Sequence, residues 1–404
     1  MTLFTLPVNH GEIVRMSSSL DIIFDRRPSE CLKWTLYPED VLPLWVADMD
    51  FRSPEPVIRA LHERAEHGIF GYQLDSPTLR AVLAEHVSAH HRLDATPDMI
   101  VFLPSLVIGL NVAVRAFTAP GDGVLVMPPV YPPFLSAVTH NGRTLVEAEL
   151  KLERAEDGVL RYAIDFEAFE AAITPQTRLF LLCNPHNPVG RVFTRAELER
   201  MVEICLKHDI LICADEIHCN LLFDDREHRS IGGLAPEVAA RTITLLSPSK
   251  AFNVPGLGLG FAVIADEALR GRLRDENFRS GGLVNVMGFA AALAAYREGW
   301  DWLAALLPYL QANRDTVVHY LRQHMPEIAT TKPEGTYLAW LDCRSLGLEG
   351  GAYTFFLERA RVGLSDGLPF GRGGEGFLRL NFGCPRPVLL EALERMRAAL
   401  AAHP

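Results

Sequence analysis

The chain has 404 residues, 49% of them hydrophobic and 22% charged, which is enough for one large domain and a smaller one beside it. A formal net charge of −11 argues against nucleic acid as a main partner, because binding phosphates favours a basic surface. The seven cysteines form no CxxC pair and read as buried apolar residues in a reducing, cytoplasmic compartment.

Residues 1–20 lack periodicity and read as an arm, with no basic stretch leading into an apolar one. Ser76-Pro77 reads as an N-cap followed by proline at the first helical position. Ile100 to Leu103 predicts a strand, and residues 106–118 a helix. Further strands are expected at Gly123 to Met127 and Thr144 to Glu149. Thr194-Arg195-Ala196-Glu197 fits a capping box that opens a helix to about Lys207. Strands near 178–183, 209–214, 242–246 and 258–264 complete a βαβ rhythm, so the fold class is α/β with a mostly parallel sheet flanked by helices. After about residue 281 the pattern changes. A long helical stretch over 281–323 breaks near Gly299, and its apolar part is too short to span a bilayer. A strand near 336–342, a helix near 351–361, a strand near 376–382 and a closing helix follow. Leu389, Leu393, Met396 and Leu400 recur at helical spacing in that last helix. These elements suit a smaller α+β domain. The expected division is 1–60 as arm and part of the small domain, 61–295 as the large domain and 296–404 as the small one.

Three segments at the ends of buried strands carry chemistry. Cys183-Asn184-Pro185-His186-Asn187-Pro188-Val189-Gly190 ends one strand sharply and presents short amides at its edge. Ala214-Asp215-Glu216-Ile217-His218 places acids and a histidine where open α/β sheets keep ligands; Asp215 alone reads equally as a helix cap. Ser247-Pro248-Ser249-Lys250 ends a third. Desolvation there disfavours an ammonium, so Lys250 is either a nucleophilic amine or a lysine that merely starts a loop.

Together, Asn-Pro-x-x-Asn-Pro-x-Gly, Asp-x-x-His and Ser-x-Ser-Lys resemble the fold type I pyridoxal-phosphate enzymes of the aminotransferase I/II superfamily. The run Leu44-Trp45-Val46-Ala47-Asp48-Met49-Asp50-Phe51, with Asp215 to His218 and Phe377 to Phe382, resembles the MalY/PatB group of cystathionine β-lyases and related carbon–sulfur lyases. The resemblance implies pyridoxal 5'-phosphate held through Lys250. It puts Asp215 at the pyridine nitrogen, Asn187 and His218 at the phenolic oxygen and Tyr131 against the ring face. It also implies a homodimer with active sites at the subunit boundary. Tyr72 of one subunit would then reach the other's phosphate. The phosphate cradle is expected from Ser105, Leu106 and Val107 at a helix start, with Ser247 and Ser249 adding hydroxyls. Gly258 stands where many aminotransferases carry arginine. Arg379, among apolar strand neighbours, reads as the clamp for a substrate carboxylate or as a structural ion pair.

The expected reaction is cleavage of cystathionine, or a related S-substituted cysteine, to a thiol, pyruvate and ammonia. An aminotransferase of aromatic or neutral amino acids stays open. So does a specialised lyase or decarboxylase acting on an S-cysteinyl conjugate. A regulatory surface for protein contact need leave no motif.

Overall fold

The computed structural model describes residues 20–155 and 158–403; the expected arm, residue 20 apart, lies outside them. Seven strands form the central sheet: β1 (Ile100–Leu103), β2 (Gly123–Val126), β3 (Thr144–Glu147), β4 (Thr177–Cys183), β5 (Leu211–Asp215), β6 (Thr242–Leu246) and β7 (Gly260–Val263). Their order is β1-β7-β6-β5-β4-β2-β3. β2 pairs in parallel with β3 and β4, and β4, β5 and β6 continue in parallel. Only β7 runs against its neighbours. The expected mostly parallel sheet is what forms, and its middle strands are buried on both faces, as such sheets require.

Strand alternation feeds two apolar layers. Leu179, Leu181, Cys213, Ile243 and Leu245 pack with helix α1 (Leu106–Phe117). Phe180, Leu182, Ile212 and Ala214 pack with helix α2 (Arg195–Lys207). The helix starts follow the sequence chemistry. The Ser76 side chain accepts from Leu79 N–H ahead of the helix Pro77–His91, and Thr194 with Glu197 makes the full capping box. Glu267–Arg279 forms a helix that the periodicity does not announce. It is so charged that Leu273 is its one buried apolar residue, and packing rather than pattern decides it.

The break at Gly299 separates helix α3 (Val286–Glu298) from α4 (Trp300–His324). A smaller antiparallel sheet then joins β8 (Ala329–Thr330), β9 (Leu338–Asp342), β10 (Ser365–Asp366) and β11 (Phe377–Asn381) in the order β8-β9-β11-β10. Leu42–Pro43 pairs in parallel with Val362–Gly363. Asn381 N–H donates to Leu44 C=O, and Asp50 N–H to Gly383 C=O. The 44–51 run is thereby sewn between the small sheet and the end of β6. Among the described residues no helix is long and apolar enough to cross a membrane, and all seven cysteines are unpaired.

Candidate functional site

β4, β5 and β6 end side by side, and the turns leaving them meet at one cavity of about 180 Å³. Asn187, Asp215, His218 and Lys250 line it, with Ser247 and Ser249. Tyr131 and the helix start Ser105, Leu106 and Val107 close the other side. Ten of the twelve residues singled out from sequence thus share one space. A cleft of about 870 Å³ lies beyond residues 219–228. Volume would favour it, but acids there such as Asp224 are already paired, by Arg314.

Lys250 Nζ donates to the Ala47 carbonyl at 2.5 Å. Burial pulls its pKa down to about 8, against the attraction of Asp48 and Asp215. Near neutral pH the amine therefore keeps access to its uncharged, nucleophilic form. Asp215 accepts one bond, from Ile217 N–H at 3.1 Å, and burial pushes its carboxyl up to about 7. A cation placed opposite would pull it back down. His218 is held neutral, well below the usual histidine range, first by burial and then by the charges of Lys250 and Arg379. Its buried Nδ1 has no partner among the described residues.

Arg379 does not line the cavity, but its Nη1 donates to Asn187 Oδ1 at 3.1 Å. Nη2 donates to Trp45 C=O and to Ser365 Oγ, and the guanidinium lies over the Phe370 ring. No described carboxylate pairs with it. Its Nε is unpartnered, and burial lowers its pKa to about 10. Among the described residues no acid supplies the ion-pair alternative for Arg379. Since Asn187 spends its oxygen on Arg379, its amide N–H₂ is left to donate into the cavity.

The Ser105 hydroxyl caps α1 by accepting from Ile108 N–H, so that helix start offers backbone N–H groups rather than Ser105 Oγ. The first N–H groups of a helix have no partner within it. Ser247 Oγ is bonded to Leu259 C=O and lies 2.7 Å from Ser249 Oγ. Gly258 has φ +57°, a left-handed conformation that disfavours any side chain; among the described residues no arginine lines the cavity. Tyr72 stands apart from its own chain's cavity. It is 97% exposed, within a segment that also exposes Ile69, Phe70 and Leu74.

Sequence reasoning gave no role to Ala47 or Ser365 and did not single out Tyr337. Tyr337 Oη donates to Ala47 C=O at 2.8 Å, and Ser365 Oγ donates to Trp45 C=O. The 44–51 run was marked by resemblance alone, and its direct bonds to Lys250 and Arg379 are through main-chain carbonyls, which leave no side-chain signal. The donor set fits pyridoxal phosphate. It offers an amine with a lowered pKa, a buried acid, the Asn187 amide N–H₂, an imidazole nitrogen without a partner among the described residues, and helix-start N–H groups for a phosphate.

Residues 39–396 match the family Aminotransferase class I and II. "Cystathionine beta-lyase PatB" of Bacillus subtilis is 39% identical, over 94% of this chain and all of its own. The crystal structure of OvoB is 41% identical with a TM-score of 0.89, covering 95% of this chain and 99% of that one. Cystalysin from Treponema denticola, whose structure contains pyridoxal 5'-phosphate, is 32% identical with a TM-score of 0.90, covering 95% and 98%. With the family matched along most of its length and its strand-end residues gathered at one cavity, the chain belongs to the aminotransferase class I and II family.

Proposed function

We propose that the protein is a pyridoxal-phosphate-dependent carbon–sulfur β-lyase that cleaves cystathionine or a related S-substituted cysteine to a thiol, pyruvate and ammonia. One observation carries the site reading: a buried guanidinium without an acid, Arg379, sits beside a cavity holding Lys250 and Asp215. A buried charge needs a partner, and an amino-acid carboxylate supplies it through two parallel hydrogen bonds. The choice of lyase over aminotransferase rests on the curated relatives: PatB is 39% identical, while those named as aminotransferases are 26% identical; the solved structure of a "putative aminotransferase" from Clostridium difficile is 34% identical.

When bound, the cofactor supplies an electron sink for the substrate α-carbon. The chain does the rest. Lys250 provides the amine that holds the cofactor aldehyde, and once freed it takes the α-proton; an amine titrating near 8 suits that task. Asp215 would stand at the ring nitrogen as its anion. Asn187 and His218 would address the phenolic oxygen, and Tyr131 would cover the ring. The start of α1 with Ser249 would receive the phosphate. Arg379 orients the substrate so that its α-hydrogen faces Lys250. A thiolate leaves readily, so alignment is the protein's main contribution to that step.

The exposed apolar segment Ile69 to Leu74 supports a homodimer in which Tyr72 completes the partner's phosphate site. Unpaired cysteines support a cytoplasmic location. All seven central strands fall within 61–295 and the small sheet within 296–404, which supports the domain division read from sequence.

The test is L-cystathionine as sole substrate. Pyruvate should accumulate over many turnovers. An aminotransferase would stop after about one turnover per site until a keto acid is added, and that pattern would replace this reading.

A further inference from the structure

The backbone from Trp45 to Phe51 is held by side chains at almost every carbonyl. Trp45 C=O accepts from Arg379. Val46 and Asp48 C=O both accept from Asn381 Nδ2 at 2.7 Å. Met49 and Phe51 C=O accept from Asn253 Nδ2. Asn253 follows Lys250 by three residues, so this clamp also fixes the turn that carries the lysine. Between these anchors lies the Ala47 carbonyl, which takes two donors of different kinds, Lys250 Nζ at 2.5 Å and Tyr337 Oη at 2.8 Å. A carbonyl oxygen has two lone pairs, and both are engaged.

Tyr337 is itself held from both sides. It is 1% exposed, its ring stands edge-on to His218 at 5.9 Å, and the preceding Thr336 N–H donates to Leu221 C=O. Its hydroxyl bonds Ala47 C=O and has no bond to Lys250. The lysine must leave that carbonyl to hold the cofactor and come back when released. A buried carbonyl left without any donor is costly.

We propose that Tyr337 is a positioning residue for Lys250: it keeps the Ala47 carbonyl satisfied while the amine is engaged elsewhere, and shares that carbonyl with the amine when it is free. Ala47 C=O is thus a fixed resting acceptor for the amine, and Tyr337 moderates how tightly it holds. This rests on the assignment of Lys250 as the cofactor amine. The charged and titratable groups around the pair come from several elements. Asp48 lies on the clamped run, Asp215 at the end of β5 and His218 in the turn after it. Arg379 lies on β11, and Tyr131 in the turn ahead of its helix. None of them bonds to Ala47 C=O, so removing the Tyr337 hydroxyl alters that acceptor alone.

The experiment uses Tyr337→Phe, with two readouts besides turnover. In cofactor-free protein, the pH midpoint for labelling of Lys250 by a small amine-reactive reagent is followed by peptide mass. It should rise by about half to one unit, because Ala47 C=O then serves the ammonium alone. Titration with pyridoxal phosphate should show affinity weakened by about tenfold, the worth of one hydrogen bond. A merely structural tyrosine would lower the melting midpoint and leave the labelling midpoint in place; that outcome, or unchanged affinity, overturns the proposal. Should the variant fail to fold, a ring-fluorinated tyrosine at 337 keeps the shape and strengthens the donor, and the labelling midpoint should then fall. A midpoint that stays or rises overturns the proposal equally. Borohydride reduction of the wild-type holoprotein separates the two readings. Cofactor mass absent from Lys250 sinks the lysine assignment and this inference together, whereas mass at Lys250 with an unmoved midpoint sinks this inference alone.

Discussion

Two arginines are buried almost completely and are treated in opposite ways. Arg314, on α4, is 1% exposed and bonds Asp224 through both Nη atoms, with Asp315 beside it. Those acids hold its pKa above the ordinary guanidinium value against the opposing pull of burial. Arg379, on β11, is 5% exposed and has only neutral acceptors around it. The same contrast appears in two neighbouring acids. Glu216 is fully buried and accepts from His228 Nε2 and Ile231 N–H; Asp215 accepts one backbone bond and faces the cavity. Burial alone does not separate structure from function here. What separates them is whether the chain supplies the partner. Where it does, the group fastens the fold; where it does not, a ligand is expected.

The widest consequence falls on Lys250. Lys250→Ala should reduce turnover by at least roughly 10²–10⁴-fold, the worth of a positioned proton-transfer group, and the lost covalent linkage adds to it. Steady-state activity near that of wild type would remove the whole cofactor assignment. The arginine pair gives the next largest split. Arg379→Ala should raise KM for amino-acid substrates by roughly 30-fold or more, because truncating one partner of a buried charged contact costs about 2–5 kcal/mol. Its melting midpoint should move little. Arg314→Met should do the reverse, losing about 1–3 kcal/mol of stability with KM in place, since its aspartates are half-exposed and water recovers part of the loss. If Arg379→Ala unfolds while KM in the surviving fraction is unchanged, the contrast fails.

The legibility of this molecule in its sequence follows the same division. Strands bounded by apolar runs, the two N-caps and the break at Gly299 were readable because each rests on local chemistry. Lys250, Asp215 and Asn187 were readable because their side chains stand at strand ends, where a motif records them. Arg379 was readable as an odd charge among apolar neighbours, although its lack of an acid was not. Tyr337 and Ala47 were not readable. Tyr337 looks like any aromatic at the start of a strand, and Ala47 acts through a carbonyl that every residue has. The helix Glu267–Arg279 was missed because its charged surface hides any apolar period. What sequence conceals is the pairing of groups far apart in the chain, such as the 290 residues between Ala47 and Tyr337.

The finest test of the contrast sets Asp215 against Glu216 across pH in cofactor-free protein. Asp215 has its folded-state pKa raised from 3.8 to about 7. Between those values the folded protein binds more protons at this site than the unfolded chain does. Stability must therefore fall as pH rises through that window, and the penalty is complete above about 7. Asp215→Asn removes the titration, so the variant should gain on wild type in unfolding free energy from pH 4 to 7, by an amount on the order of 1–3 kcal/mol, read as a rising difference in melting midpoint. Adding pyridoxal phosphate should cancel the gain, because a protonated ring nitrogen would give the carboxylate a cation in direct contact, whereas Lys250 is bonded to Ala47 C=O. Turnover should drop sharply in the same variant, although cofactor still binds. Glu216→Gln should show neither pattern. With His228 and Ile231 already in place, the substitution should lower the midpoint at every pH and leave α-proton exchange in the substrate largely intact. If the Asp215→Asn curve runs parallel to wild type from pH 4 to 7, and exchange of the α-proton is unaffected, Asp215 is a structural acid like its neighbour and the distinction between the two collapses.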